Sequence, residues 1–139
     1  MKVEEIQTLQ HLFDFIVEHM AKQKRRAFSA VHETCVYATN KEPYALKCAV
    51  GCLIDPKIGF NLVGSLAMSG FYGEGTKVWD VIPENIIKID KSFDFLCSMQ
   101  DAHDRSYDKN HLKNKLTEIS TIYNLNNEAT QQITEWFSK

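Results

Sequence analysis

Cysteine and histidine are the residues of this chain with most chemistry to offer, and of the cysteines Cys48 and Cys52 stand closest together. On a helix, side chains four positions apart have Cβ atoms about 5–6 Å apart. A disulfide needs Cβ atoms about 3.5–4.5 Å apart, so these two are not expected to bridge. Adding His32 and Cys35 gives H-x-x-C followed by C-x-x-x-C, a donor set that suits tetrahedral zinc. The spacing is not that of a C-x-x-C knuckle, and free cysteine commonly serves as a small buried hydrophobe. The expectation is therefore no metal and no cofactor, with His32, Cys35, Cys48 and Cys52 as the alternative ligand set.

A cysteine nucleophile is the second chemistry. Cys35 or Cys48 could pair with His103, and Asp101 or Asp104 could orient the imidazole. Such chemistry needs a thiolate in an electropositive, partly exposed setting. Lys47 beside Cys48 helps, whereas Ala49 and Val50 argue for a buried, inert thiol. No catalytic signature surrounds either cysteine, so the chain is not expected to be an enzyme. Cys48, Cys35, His103 and Asp104 are the alternative catalytic set.

Other clusters suggest contact more than catalysis. Gly70 to Gly75 matches neither G-x-G-x-x-G nor a P-loop, and Glu74 would repel phosphate. The segment reads as a surface loop that offers Phe71, Tyr72 and Glu74 to a partner. Trp136 and Phe137, if exposed, would be a second contact point. Asp94, Asp101, Asp104 and Asp108 fall at helical spacing as a solvated acidic stripe. Lys22, Lys24, Arg25 and Arg26 gather where a helix should end, which suits its dipole and could also touch phosphate.

The elements that must position these residues are mostly helical. Ile6, Leu9, Leu12, Phe13, Ile16, Val17 and Met20 share one face, predicting a helix from Val3 to about Lys24. Cys35–Ala38 and Tyr44–Leu46 flank a turn and predict a small hairpin. Cys48–Ile54 reads as a short buried helix stopped by Pro56, and one helical turn is expected between Leu62 and Met68. Val78–Ile89, which contains Pro83, reads as a short helix or an irregular connection. Asp90 or Ser92 should cap a helix that shows Phe93, Leu96, Cys97, Gln100, His103 and Tyr107 on one face. Asp108 should cap the next helix, and Asn126 or Asn127 a last one running through Trp136 and Phe137.

With 139 residues, one domain over 1–139 is the expectation. A net charge of −2 argues against a nucleic-acid coat, and 11% aromatic residues argue against disorder. The opening MKVEEIQTLQ does not read as a signal peptide, and the uncharged stretch from Ile58 to Gly73 is expected to be too polar to span a bilayer. Reduced cysteines and no membrane are expected.

Cys35-Val36-Tyr37, Lys47-Cys-Ala-Val-Gly-Cys-Leu-Ile54 and Gln100-Asp-Ala-His-Asp104 together resemble small tailed-phage and prophage proteins. Those carry a C-x-Y, a K-C-A-[IV]-G-x-L-I block and a Q-x-x-H-D motif, and the order agrees over most of residues 6 to 120. Two departures stand out: Asp55–Gly59 covers only part of the acidic, Tyr-containing segment that follows the block, and Cys52 replaces a small or apolar residue. The resemblance implies a phage-encoded accessory protein acting in the host cytoplasm. It supplies no reaction. The expected fold is α+β but mainly α, a compact helical domain with a small β-hairpin. The hairpin and the Cys48 block should pack between the first helix and the one carrying His103, with His103 buried near Cys35 or Lys47. The expected function is binding to a host protein, to modulate or inhibit it in host takeover or counter-defence. A Cys/His-dependent enzyme and a nucleic-acid binder are the alternatives, and self-association into a homo-oligomer stays open.

Overall fold

The computed structural model describes residues 1–29, 34–42, 44–60, 62, 71–72 and 76–138. The molecule is mainly helical with a minimal β component. Helix α1 spans Leu9–Gln23, and its face of Leu12, Phe13, Ile16, Val17 and Met20 is buried. It starts later than the apolar spacing predicts. Thr8 is extended and its side chain accepts from His11 N at 3.1 Å, so a cap interrupts the helix. Val3–Glu5 forms a separate 3-10 turn before it. Asn85 Nδ2 ties that turn down by donating to the carbonyls of Val3 and Ile6, at 3.0 and 2.9 Å. Lys24 ends α1 in the left-handed region at φ 65°.

The β component is smaller than expected and differently paired. Strands β1 (Phe28–Ser29) and β2 (Thr34–Cys35) are antiparallel, with Phe28 opposite Cys35. The expected hairpin further on reduces to one bridge between Ala38 and Lys47, supported by Thr39 N to Leu46 O at 2.9 Å. The Cys48 block is a 3-10 turn, Gly51–Leu53, with no α-helix. A Cβ on Gly51 would overlap the Tyr37 carbonyl, so only glycine lets the turn approach that backbone. Pro56 starts an element where it was expected to stop one. It opens the short helix α2 (Pro56–Gly59), which Asp55 caps through Lys57 N. The helical turn expected between Leu62 and Met68 lies outside the described residues, apart from Leu62 itself.

Strands β3 (Phe71–Tyr72) and β4 (Thr76–Lys77) form a second ladder. The 3-10 turn Val78–Val81 and helix α3 (Glu84–Ile87) follow. Helix α4 (Ser92–Arg105) buries Phe95, Leu96, Met99, Ala102 and His103. Its buried face is rotated from the predicted one: Phe93 lies partly open against Trp79, 5.2 Å between ring centroids, and Tyr107 is exposed. Helix α5 (Lys109–Ile122) begins at Asp108, whose carboxylate accepts from His111 N at 2.8 Å, as its sequence position predicts.

The expected last helix stops at a 3-10 segment, Glu128–Gln132. Beyond it the chain runs extended, and Phe137 makes a parallel bridge to Arg25. One apolar cluster joins α1, α4, α5, the Cys48 block and Trp136. Phe95 is its hub, 6.4 Å from Phe13 and 5.2 Å from Tyr123, centroid to centroid. Among the described residues no helix is long and apolar enough to cross a membrane.

Candidate functional site: a Cys-His-Asp cluster

The last turns of α4 carry Gln100, His103 and Asp104 at i, i+3 and i+4, which puts them on one face. That face meets the backbone just before β1, the thiol of β2 and the Cys48 block. His103 is fully buried, and its Nδ1 lies 2.6 Å from Asp104 Oδ1. The backbone N–H of Ala27 donates to His103 Nε2 at 3.2 Å. An N–H needs a lone pair opposite it, so Nε2 is unprotonated and the ring proton sits on Nδ1, donated to the Asp104 carboxylate.

Gln100 fixes the other side. Its Nε2 donates to both Asp104 carboxylate oxygens at 3.1 Å, and its Oε1 accepts from Val50 N at 2.9 Å. Its side chain is also within hydrogen-bonding reach of the Cys48 thiol. Cys48 Sγ in turn accepts from Gly51 N at 3.1 Å. Arg26 donates Nη1 to the Asp104 carbonyl and Nε to Ser138 O, the latter at 2.7 Å. Trp136 closes the cluster. Its ring stands edge-on to His103 at 5.5 Å, and its Nε1 donates to Ser106 O at 3.2 Å.

The structure thus brings Cys35, His103 and Asp104 together, with one donor atom from each inside a 4.8 Å span. It does not make a nucleophile of them. Burial and the Asp104 charge push the Cys35 thiol up to about 12, and the thiol is hydrogen-bonded to Asp104. Burial raises Cys48 well above the ordinary thiol value and takes Cys52 up to about 12. At neutral pH all three are thiols, whereas attack needs a thiolate. The Nε2 lone pair that a Cys-His-Asp triad would aim at sulfur is occupied by Ala27 N–H. Cys48, fully buried and screened by Gln100, cannot meet a substrate without the fold opening.

Metal ligation fares similarly. A metal on His103 Nδ1 would move the ring proton to Nε2 and set it against Ala27 N–H, donor facing donor. Among the described residues, Cys35, Cys48 and Cys52 do not gather as a ligand cluster either. Cys52 Sγ donates to Ala49 O at 3.1 Å, Cys48 is held by Gly51 N, and His32 lies outside the described residues.

The other expected sites fall as follows. Trp136 is buried at 4% exposure, so it is a core residue and no contact point, while Phe137 is 47% exposed. Phe71 and Tyr72 form β3; their side chains and Glu74 lie outside the described residues. The basic cluster is largely spent. Lys22 pairs with Glu18 at 2.9 Å, Lys24 with Glu135 at 3.6 Å, and Arg26 turns inward. Asp104 leaves the acidic stripe for the interior, and Asp101 pairs with Arg105 at 3.0 Å and Lys115 at 3.4 Å.

Two important residues have no counterpart in the sequence reading. His19 Nε2 and Gln23 Nε2 on α1 both reach Lys47 O, at 2.9 and 2.8 Å, and Gln23 Oε1 accepts from Lys47 N at 2.8 Å. Their i, i+4 spacing on the rim of the apolar face was the available signal. Burial, which Lys47 O offsets only in part, lowers the His19 pKa to about 4. No known protein family matches the sequence, and no curated protein or solved structure is significantly similar to it.

Proposed function

We propose that this is a phage-encoded accessory protein that acts by binding a host protein and modulating or inhibiting it, without catalysis. The carrying observation is the internal commitment of the motif chemistry. His103 has both ring nitrogens hydrogen-bonded inside the fold. Cys48, Gln100 and Asp104 are buried with it. A motif spent on the interior leaves function to the surface, and binding needs only complementarity and a few anchors. The resemblance to small phage proteins supplies the setting, host takeover or counter-defence in the host cytoplasm. The contact region proposed is the β3 segment Phe71–Tyr72 with Glu74, together with Phe137.

The test is capture of the partner from infected host cells, normalised to folded protein. The Phe71→Ala, Tyr72→Ala double variant should stay folded and lose its partner. Cys48→Ser should fold less well, while the folded fraction still binds. If Cys48→Ser folds normally without activity and the loop variant is fully active, the binding reading fails and a Cys/His enzyme takes its place.

A further inference from the structure

A cleft of about 530 Å³ lies on the surface beside the Cys48 block, lined by Leu53, Ile54 and Pro56 and ringed by Lys41, Lys47 and Lys57. That volume is within the usual range for small-molecule sites. Three lysines line it in a chain whose net charge is −2. None of the three makes a salt bridge among the described residues. The one carboxylate in the lining, Asp55, is turned to Lys57 N at 2.9 Å.

The cations are positioned as well as present. Lys47 is clamped at its backbone by Gln23 on the N–H and by His19 and Gln23 on the carbonyl, so its side chain leaves from a fixed point. Lys41 rests over the Phe60 ring, 5.6 Å from ammonium to centroid. The Lys47 charge reaches Cys52, another lining residue, where it opposes the effect of burial. Three lysines against the single carboxylate of Asp55 leave the lining net positive, which raises the local potential and favours an anion.

We propose that this cleft binds a phosphate group carried on a small organic molecule. The charge count carries that choice: lysine binds phosphate as a compact point charge, and a group bearing more than one negative charge gains most from several lysines. The apolar wall of Leu53, Ile54 and Pro56 offers the organic part a surface. This site is independent of the partner-binding surface proposed above.

The experiment is titration of the full chain with inorganic phosphate, adenosine 5′-monophosphate, adenosine, and chloride at matched ionic strength, followed by backbone amide shifts. Amides of Leu53, Ile54, Asp55 and Lys57 should move with the monophosphate at millimolar concentration, more weakly with phosphate, and with neither adenosine nor chloride. Lys47→Gln and, separately, the exposed Lys57→Gln should each weaken monophosphate binding about tenfold, the loss of one charge-assisted hydrogen bond. Phosphate binding as tightly as the monophosphate would overturn the organic ligand. Shifts that chloride reproduces, shifts outside the cleft, or unchanged affinity in both variants would overturn the site. Lys57→Gln keeps the test decisive if Lys47→Gln perturbs the fold.

Discussion

Gln100 is the residue on which the buried network turns. It holds Val50 N–H with one end and the Asp104 carboxylate with the other. Removing it leaves a buried donor and a buried charge without that partner. Gln100→Ala should therefore destabilise the protein by about 1–3 kcal/mol in urea unfolding. Asp101→Ala, which breaks only surface pairs, should change stability by less than about 0.5 kcal/mol. Equal effects would mean the network is not structural. Ser106 makes the opposite case. Its Oγ is buried and has no hydrogen-bond partner among the described residues. Ser106→Ala should be neutral or stabilising in the same assay, since a buried orphan hydroxyl costs free energy that alanine does not. The thiols fit this account. Native Cys48 should alkylate far more slowly than in unfolded protein, because burial keeps it protonated and covered.

At the scale of elements, α1 carries a large packing term and an acid sensitivity. Phe13 is fully buried against Phe95, so Phe13→Ala should cost about 3–5 kcal/mol in thermal melts. Lys24→Ala, at an exposed helix end, should cost under about 0.5 kcal/mol. His19 has a pKa of about 4 when folded, against 6.5 as the ordinary value. Between those values the unfolded chain binds more protons than the folded one. His19 thus contributes stability that is complete above pH 6.5 and is lost as pH falls towards 4. His19→Gln, which keeps a donor for Lys47 O, should flatten that part of the stability profile measured by urea unfolding. An unchanged slope would show that other groups set it.

Elements were legible in the sequence where the signal is local. The Asp108 cap is a side chain bonding a backbone N–H three residues on, and nothing distant can move it. The face of α4 was misread because Phe93 and Phe95 are both apolar and two apart. Only tertiary packing decides that Phe95 enters the core and Phe93 stays at the rim against Trp79. The predicted hairpin shrinks to the Ala38–Lys47 bridge and a separate β1–β2 ladder precedes it, since β-pairing of two-residue strands depends on what lies beside them.

On the scale of the whole molecule, the C-terminal segment acts as a strap. Phe137 N donates to Lys24 O at 2.9 Å, Arg26 N donates to Phe137 O at 3.1 Å, and Trp136 covers His103. These contacts join residues far apart in sequence, which is why local spacing predicts a last helix through Trp136 and Phe137 instead of an extended strap. The meeting of Cys35 with His103 and Asp104 was half legible. Gln100, His103 and Asp104 share a helix face by spacing alone, but Cys35 arrives through β2, whose position no local pattern encodes. Trp136→Ala should loosen the strap and destabilise the protein by about 3–5 kcal/mol, together with faster alkylation of Cys35. Loss of stability without that gain in reactivity would mean the strap does not cover the cluster.

The central claim is that the motif's chemistry is spent inside the fold, and the protonation of one ring tests it most directly. Long-range nitrogen–proton NMR on the native protein at neutral pH distinguishes the His103 tautomers. The account predicts a proton on Nδ1, in the hydrogen bond to Asp104, and an unprotonated Nε2 facing Ala27 N–H. A proton on Nε2 with Nδ1 bare would contradict it, because that ring could no longer accept from Ala27 and would present Nδ1 as a ligand or base.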